Sequence, residues 1–423
     1  MSPQQRRVIL AGVVGNVMEW YDFAVYGYFA SIIGAQFFPS HDATASLLAA
    51  FGVFAAGFLM RPLGALVFGH IGDRMGRRAA LLMSVLAMAV PTFLIGLLPD
   101  YERIGVAASA ALVALRLVQG LSVGGEYTTS IIFLVESAPP ERRGFLGSWS
   151  AFGAVAGILC GSAVAAFFTA LMPAAELHAW GWRLPFLIGL AVGLAGLYVR
   201  GRVPEQTGQA HAASRPPIVD AFRTQLSGML RVIGLNAGPA VAFYLLFVYL
   251  VTYLTQIVHV NAPLALEINT FNMVVLLAVL VSAGVLSDRV GRRPLLVGGA
   301  LGLVVLGWPL FSLLHSGEPR LILLAQLCFA VLVGAFVGAL PAAMVELFPR
   351  RVRCSAVSVA YNVSVGLIGG TTPIIATYLV ERTGNEYAPA LYLIGMMLIT
   401  LAVAWRLPET ANQPLPDAVA ISD

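Results

Sequence analysis

The sequence predicts an all-α integral membrane protein with twelve transmembrane helices in two pseudo-symmetric six-helix bundles. Three observations predict this fold. Apolar residues make up 59% of the 423 residues and charged residues only 11%, long apolar runs recur along the chain, and the two halves carry related motifs. Because one span needs about 20 mostly apolar residues, this composition fits about twelve spans. Disordered, collagen-like and ordinary soluble proteins are excluded on the same grounds.

Twelve apolar runs follow one another, and each predicts one spanning helix. They lie near 8–38, 44–69, 79–98, 104–135, 145–172, 183–200, 227–258, 264–287, 294–314, 319–346, 354–380 and 386–406. The first run contains Glu19 and Asp22 and has no clear small-residue cleavage site, so we expect a retained helix rather than a signal peptide. Runs longer than about 25 residues predict tilted helices or helices that extend beyond the hydrocarbon.

The arginines predict the orientation of these helices. All 25 basic residues are Arg, and with the N-terminus in the cytoplasm 19 of them lie on the cytoplasmic side. Two fall inside the membrane, and four lie outside: Arg103, Arg183, Arg320 and Arg382. This asymmetry agrees with the positive-inside rule and predicts that both termini are cytoplasmic. The absence of Lys excludes a phosphate-binding loop, and hence an ATP-driven pump complete on this chain.

A polar stretch divides the runs six and six. We expect 1–200 to form the N-terminal bundle, 201–226 a cytoplasmic linker, and 227–423 the C-terminal bundle with a short cytoplasmic tail. GHIGDRMGRR from Gly69 matches GVLSDRVGRR from Gly284 at six of ten positions. Two weaker pairs, ESAPPERR with ELFPRRVR and RVPE with RLPE, recur at similar offsets. The repeats predict two parallel units related by an axis along the membrane normal.

The doubled G-x-x-x-D-R-x-G-R-R loop and RLVQGLSVG from Arg116 resemble the signatures of the major facilitator superfamily. Within the superfamily, seven further segments resemble the metabolite:proton symporter family, especially its proline/betaine-type and 2-oxoglutarate-type permeases. These segments are GNVMEWYDFAVYGY, RPLGALVFGHIGDR, SVGGEYTTS, RRGFLGSW, FYLLFVYLVTYL, NVSVGLIGGTTP and PETANQPL. The resemblance implies the major facilitator fold and proton-driven uptake of a small organic solute, by alternating access, across a bacterial cytoplasmic (inner) membrane. Because the chain ends at Asp423 without a heptad-repeat tail, we do not expect an osmosensing role.

Ionisable residues inside apolar helices are costly and are therefore candidates for function. Glu19 and Asp22 share one face of the first helix, because they are three residues apart. Glu126 in the fourth helix lies at a depth similar to that of Glu19. With only Arg116 and Arg61 to balance three carboxylates, at least one carboxyl is expected to bind a proton. We predict that Glu19, Asp22 and Glu126 carry the coupled proton; static ion pairs between helices are the alternative.

Arg116 is the candidate partner of a substrate carboxylate, with structural pairing as the alternative. Aromatic faces hold alkylammonium groups by cation–π attraction, although helix packing accounts for the same aromatic residues. Further candidates for substrate binding are Tyr21, Tyr127, Tyr244, Tyr249, Tyr253 and Asn362. Because core cations are few, a betaine- or proline-like zwitterion or a monocarboxylate is favoured over a di- or tricarboxylate. A drug/proton antiporter is a more distant alternative, since the fifth run has no Gly-Pro motif.

The repeated loop supplies candidates for gating. Asp73 and Asp288 each precede an Arg cluster, and a carboxylate at a helix N-terminus with an Arg partner can latch neighbouring helices. The alternative is that these charges only set the topology. The gating candidates are Asp73, Arg74, Arg77, Arg78, Asp288, Arg289, Arg292 and Arg61.

Other classes of protein lack support in the sequence. The sequence contains no C-x-x-C pair, no H-E-x-x-H, no nucleophile motif and no metal-ligand cluster. We therefore predict that the protein is not an enzyme and has no metal or cofactor site. The coupling ion is expected to be the proton. A receptor or scaffold is disfavoured because no sizeable soluble domain fits. The expected partners are a small-molecule substrate and the lipid bilayer. We expect no nucleic acid and no obligate protein partner, and we expect a monomer.

Overall fold

The computed structural model describes residues 3–41, 43–201 and 217–416, which form helices joined by short turns, with no strand in these ranges. Eleven helices of the described ranges are long and apolar enough to cross a membrane, and a twelfth span is a helix pair bent by 49°. The spans are α1 Gln5–Tyr28, α2 Leu48–Arg74, α3 Arg78–Leu97, α4 Val106–Glu136, α5 Pro140–Leu171, α6 Ala174–Gly181 with Arg183–Tyr198, α7 Leu226–Gln256, α8 Pro263–Val290, α9 Arg292–His315, α10 Pro319–Glu346, α11 Arg353–Thr383 and α12 Ala388–Trp405. The twelve predicted spans are thereby confirmed.

The spans contain local breaks that the apolar runs do not predict. The run 8–38 is not one helix, because α1 ends at Tyr28 and a separate helix covers Ala30–Phe37. Gly27 precedes this break and disfavours helix continuation. Within α2 the helix pauses at Met60 and resumes at Arg61 with Pro62 in its first turn. Proline is tolerated there because it lacks only a backbone N–H that the first turn leaves unpaired.

The helices form two compact units. Unit 1 comprises Met1–Phe133 and Gly153–Ile218, and unit 2 comprises Leu134–Phe152 and Val219–Asp423. The predicted boundaries at 1–200 and 227–423 stay a prediction. The two units differ from the predicted bundles because the end of α4 and the beginning of α5 make their contacts in unit 2. Of the predicted linker, 202–216 lies outside the described residues, and Pro217–Thr224 is a short helix.

The repeated loop has the same backbone conformation in both units. Gly76 has φ 94° and ψ 159°, and Gly291, the corresponding residue of the second copy, has φ 104° and ψ 163°. Side chains disfavour positive φ, and glycine adopts it at little cost. The glycine of the motif is therefore explained by the turn it makes between two spans in each unit.

Close backbone contacts set the spacing of the helices in unit 1. A Cβ added at Gly157 of α5 would lie 2.5 Å from the carbonyl oxygen of Val17 in α1. Between α2 and α4, a Cβ at Gly120 would overlap the backbone of Gly57. Small residues allow this close helix packing. It brings the polar side chains of α1, α2, α3 and α4 together inside unit 1.

In unit 2, α7 and α11 each contain one wide π-helical turn, at Leu245–Tyr249 and Ser364–Gly369. The neighbouring α12 is joined to α7 by Thr400, whose hydroxyl accepts from the Gly238 N–H at 2.9 Å and donates to the Gly234 carbonyl at 2.8 Å. These bonds satisfy backbone groups close to Pro239, which lacks an N–H.

Candidate functional site

Asp22 of α1 and Arg116 of α4 form a buried ion pair in unit 1. Nη1 of Arg116 lies 2.5 Å from Oδ2 of Asp22, and the two side chains are 2% and 0% exposed. The other oxygen, Oδ1, accepts hydrogen bonds from Nε2 of Gln119 at 3.0 Å and from Oγ1 of Thr92 at 2.9 Å. Both oxygens of Asp22 are therefore satisfied, and its charge is balanced by one guanidinium.

The same guanidinium lies against aromatic rings. Cζ of Arg116 is 3.6 Å from the ring centroid of Tyr26 and 5.9 Å from those of Phe23 and Phe54. Nη1 donates to Asp22 and to Gln119, whereas Nε and Nη2 have no hydrogen-bond acceptor among the described residues. The Nε–Nη2 edge is one with which an Arg can bind a carboxylate through two parallel bonds. The pair therefore retains donors for one further carboxylate.

Glu19 and Glu126 form a second ionisable group, with Arg61. Glu19 is buried, neither carboxyl oxygen has a hydrogen-bond donor among the described residues, and it lies within electrostatic range of Arg61 and Glu126. Glu126 accepts a hydrogen bond from the hydroxyl of Ser84. With both carboxyls ionised, two negative charges would lie close together in a buried position with one Arg near Glu19, which is unfavourable. A proton on Glu19 would remove this excess charge.

The remaining candidates in unit 1 have structural contacts. The Tyr21 hydroxyl donates to the carbonyl of Pro185 at 2.8 Å, which joins α1 to α6. Tyr127 is buried in α4, and Arg61, also buried, has its Cζ 5.5 Å from the ring centroid of Phe58. Unit 1 therefore brings Asp22 to Arg116 and Glu19 to Arg61 and Glu126, whereas the Tyr21 hydroxyl is directed towards α6.

The other predicted substrate residues belong to unit 2 and pack within it. The rings of Tyr249 and Tyr253 have centroids 6.4 Å apart, and Tyr253 meets Phe311 at 5.7 Å. Tyr244 is buried next to the π-helical turn of α7. Asn362 donates to the carbonyl of Ser358, one turn back in α11, at 2.9 Å. Their role in substrate binding stays a prediction.

Asp288 joins the end of α8 to the beginning of α5 inside unit 2. Its two oxygens accept hydrogen bonds from the backbone N–H groups of Gly144 and Phe145, at 2.7 and 2.8 Å. Nη1 of Arg292 donates to the same carboxylate at 2.7 Å, and Nη2 of Arg292 pairs with Glu346 at 3.1 Å. A carboxylate at a helix N-terminus is stabilised by the unpaired N–H groups and by the helix dipole.

The PETANQPL segment extends this cluster. Glu409 accepts hydrogen bonds from the backbone N–H of Arg292 at 2.8 Å and of Arg293 at 3.1 Å, and so caps the first turn of α9. The hydroxyl of Thr410 donates to Glu346 at 2.6 Å, and Nη1 of Arg143 donates to the carbonyl of Gln413 at 2.6 Å. The segment therefore fastens α5, α9 and α10 to one another.

The other gating candidates lie in or near the loops. Arg289 is exposed, and so is Arg74, next to the half-buried Asp73. Nη2 of Arg78 donates to the carbonyl of Gly201 at 2.6 Å. Arg77 begins its helix, but its side chain lies outside the described part of the structure. Of the gating candidates in unit 2, the structure thus joins Asp288 and Arg292 in one cluster and leaves Arg289 exposed.

Some residues of the site were missed by the sequence analysis. Gln119 could have been predicted from its position, because it follows Arg116 by three residues and so lies on the same face of the helix. Phe23 is adjacent to Asp22 and could have been considered with it. Thr92 and Phe54 stand in ordinary apolar runs far from the other site residues in sequence. Nothing in their local pattern distinguishes them from packing residues.

Comparison with known proteins identifies the class of this membrane protein. Residues 8–207 and 217–419 match the model of the family described as Sugar (and other) transporter. The chain belongs to this transporter family. The transporter is 39% identical over 435 residues to the glycine betaine/proline/ectoine/pipecolic acid transporter OusA of Dickeya dadantii (strain 3937), over 99% of this chain and 86% of that protein.

A second relative and a solved structure agree with this assignment. The proline/betaine transporter of Escherichia coli (strain K12) is 38% identical over 433 residues, with the same coverage of both chains. The MFS proton:xylose symporter XylE of E. coli, bound to 6-bromo-6-deoxy-D-glucose, has a TM-score of 0.80 at 18% identity and covers 97% of each chain. The predicted major facilitator fold is confirmed, as is the predicted likeness to the proline/betaine branch. The transporter is a multi-pass membrane protein.

Proposed function

We propose that the transporter is a proton-coupled symporter of a small solute with one carboxylate and one ammonium group, such as proline or a betaine, and that it works by alternating access. The observation that supports this most directly is the Nε–Nη2 edge of Arg116, which is buried and has no acceptor among the described residues. A substrate carboxylate would complete the hydrogen bonding of Arg116 without displacing Asp22. The names of the relatives OusA and the proline/betaine transporter indicate the same substrate class.

The charges of unit 1 favour a zwitterion. Asp22 and Arg116 form a neutral pair, and a zwitterion leaves the net charge of the site unchanged. A dicarboxylate would add two negative charges and would need a second cation. The other buried Arg among the described residues of unit 1 is Arg61, which lies within electrostatic range of Glu19. A monocarboxylate would need an added proton to leave the net charge unchanged, and a di- or tricarboxylate is the weaker alternative.

The second ionisable group is suited to proton coupling. Glu19 lies within electrostatic range of Glu126 and Arg61, so one bound proton makes these three residues neutral together before the site changes its access across the bilayer. Asp22 is less suited to this role, because Arg116, Gln119 and Thr92 already satisfy both of its oxygens. If the proton and the substrate each stabilise the same conformation, each raises the affinity for the other by the same factor.

The cluster around Asp288 is suited to gating. We infer that Asp288 and Arg292 hold the beginning of α5 in one state of the transport cycle and release it in another. Arg289 and the first copy of the loop, with Asp73, Arg74, Arg77 and Arg78, would act in the same manner, and Arg61 would connect the coupling group to α2. Each carboxylate–helix contact can be made or broken without unfolding a helix, which is what a reversible latch requires.

The cellular setting follows the orientation predicted from the arginines. We place the transporter in a bacterial cytoplasmic (inner) membrane with both termini in the cytoplasm. It would act as a monomer with no cofactor other than the coupled proton and no protein or nucleic-acid partner.

Uptake into proteoliposomes tests this function. Purified transporter would be supplied with proline, glycine betaine, a monocarboxylate and 2-oxoglutarate, each with and without an inward proton gradient. We expect the zwitterions to accumulate above the external concentration only when the gradient is present. Preferred uptake of 2-oxoglutarate would overturn the substrate class. Accumulation that is independent of the pH gradient, with a sodium gradient tested in parallel, would overturn the proton coupling.

A further inference from the structure

Three phenylalanine rings form a compact group beside Arg116 in unit 1. The ring centroids of Phe23 in α1 and of Phe54 and Phe58 in α2 are 4.9 to 5.3 Å apart. Phe23 is buried, whereas Phe54 and Phe58 are half-buried. Tyr26 stacks on Phe54 with centroids 5.8 Å apart and an angle of 24° between the rings. We call Phe23, Phe54 and Phe58 the phenyl group.

The phenyl group already lies in the range of two cations, because Cζ of Arg61 is 5.5 Å from the ring centroid of Phe58 and Arg116 lies near the other two rings. Aromatic faces carry partial negative charge and attract a cation within about 6 Å of the ring centroid. The Arg116 guanidinium lies at 5.9 Å from two of these rings, but it stacks directly on Tyr26, at 3.6 Å. Tyr26 is thus the ring that holds the guanidinium, while Phe23 and Phe54 stand farther from it.

A zwitterion bound to Arg116 would bring its positive end to these rings. In a betaine or a cyclic amino acid, one carbon separates the carboxylate from the ammonium nitrogen. A carboxylate on the Nε–Nη2 edge therefore holds the ammonium within a few ångströms of the guanidinium. Asp22 is not the natural partner for that ammonium, since three donors already satisfy its oxygens. A quaternary ammonium has no N–H to donate, so aromatic faces suit it better than a carboxylate does.

We propose that the phenyl group is the ammonium subsite: Phe23, Phe54 and Phe58 bind the alkylated ammonium end of the substrate while Arg116 binds its carboxylate. This inference rests on the proposed function, because it takes a zwitterion as the substrate. These rings offer the positive end of the ligand a site that differs from the buried carboxylates and from Tyr249 and Tyr253 of α7. The ligands it selects carry a carboxylate and a methylated or ring-substituted ammonium one carbon apart.

The test compares two probes of the same shape. Glycine betaine and 3,3-dimethylbutanoate differ only in that the quaternary nitrogen is replaced by carbon, so the ratio of their affinities reports the response to the positive charge. Calorimetric titration of the full-length transporter in lipid nanodiscs gives both affinities. For Phe54→Leu and Phe58→Leu, we expect this ratio to fall roughly three- to thirtyfold, the range of a lost cation–π contact. The affinity for 3,3-dimethylbutanoate should stay within about twofold, because an apolar side chain still fills the position.

Control variants separate the ring from its surroundings. Phe51→Leu changes an exposed phenylalanine of α2 that is outside the phenyl group, and should leave the ratio unchanged. Incorporation of 3,5-difluorophenylalanine at position 54 keeps the ring shape and weakens its negative face, so the ratio should fall even where a leucine variant fails to fold. If the ratio of the two affinities stays the same in the fluorinated protein, the ammonium subsite is overturned. Binding of betaine by the wild-type protein would still support the substrate class in that case. Failure of the wild-type protein to bind betaine or proline would overturn the proposed substrate class, and the subsite with it.

Discussion

Asp22 accepts a hydrogen bond from Arg116 over 2.5 Å, and neither side chain is more than 2% exposed. The pair joins α1 to α4 with no net charge. Removal of either partner leaves the other charge buried without compensation, which is more costly than removal of both. Comparing the loss of stability in single and double variants therefore distinguishes a structural role of the ion pair from a role in transport.

Asp22→Asn should lower stability strongly. A broken buried pair costs roughly 3–5 kcal/mol, so thermal unfolding in detergent should begin at a clearly lower temperature than in the wild type. The double variant Asp22→Asn with Arg116→Gln should recover part of this loss but should not bind substrate. If the double variant is as unstable as the single one, the two residues do not act as a pair.

Glu19→Gln should uncouple transport from the proton. The amide cannot exchange a proton, so gradient-driven accumulation in proteoliposomes should disappear, whereas exchange at equal pH on both sides should continue. Glu126→Gln should have the same effect, because Glu126 lies close enough to Glu19 for the two carboxyls to interact electrostatically. Retained accumulation in both variants would contradict the assignment of the proton to this group.

Asp288→Asn should loosen the beginning of α5. The amide keeps one acceptor oxygen but loses the charge that the helix N-terminus and Arg292 stabilise, at a cost of about 1–2 kcal/mol. Hydrogen exchange at the Gly144 and Phe145 amides should accelerate about tenfold, with a slower transport rate in a folded protein. Exchange and transport at the wild-type rates would argue against the latch. Asp73→Asn tests the first copy of the loop by the same transport assay.

Gly157→Ala should disturb α1. The new Cβ would lie 2.5 Å from the Val17 carbonyl and 2.9 Å from Cβ of Trp20, so α1 must move, and Glu19 and Asp22 move with it. We expect a loss of stability of roughly 1–3 kcal/mol, as for other overpacked sites, together with weaker substrate binding. Gly395→Ala is the matched control, because outside its own stretch of helix no described residue has an atom within 4 Å of the added Cβ. Equal behaviour of the two variants would contradict this account.

Cysteine labelling tests the orientation. After replacement of the native cysteines Cys160, Cys328 and Cys354, Ala210→Cys should react with a membrane-impermeant maleimide only from the cytoplasmic side. Ser316→Cys should react only from outside. Ser316 is preferable to Gly317, whose φ of 71° disfavours a side chain. The reverse pattern would invert the predicted topology.

The spans, the duplicated loop and the buried charges could be predicted because each depends on local composition or on a repeated motif. Hydrocarbon requires continuous apolar helices, so the number of spans is visible in the apolar runs. Charges inside those runs are equally visible, and the sequence alone was sufficient to select Glu19, Asp22, Arg116 and Glu126. The break after Tyr28 was not predicted, because an apolar run does not reveal where a helix ends.

The sequence by itself determined the membrane class, the twelve spans, the two repeats and the set of buried ionisable residues. Only the tertiary structure decided how those residues are grouped. It paired Arg116 with Asp22, placed Glu19 within electrostatic range of Arg61 and Glu126, and brought Phe54 beside Phe23. These choices depend on helix rotation and on the depth at which helices cross, which are set by close backbone packing such as that of Gly157 on Val17. Such contacts join residues far apart in the chain, so no local pattern of the sequence contains them.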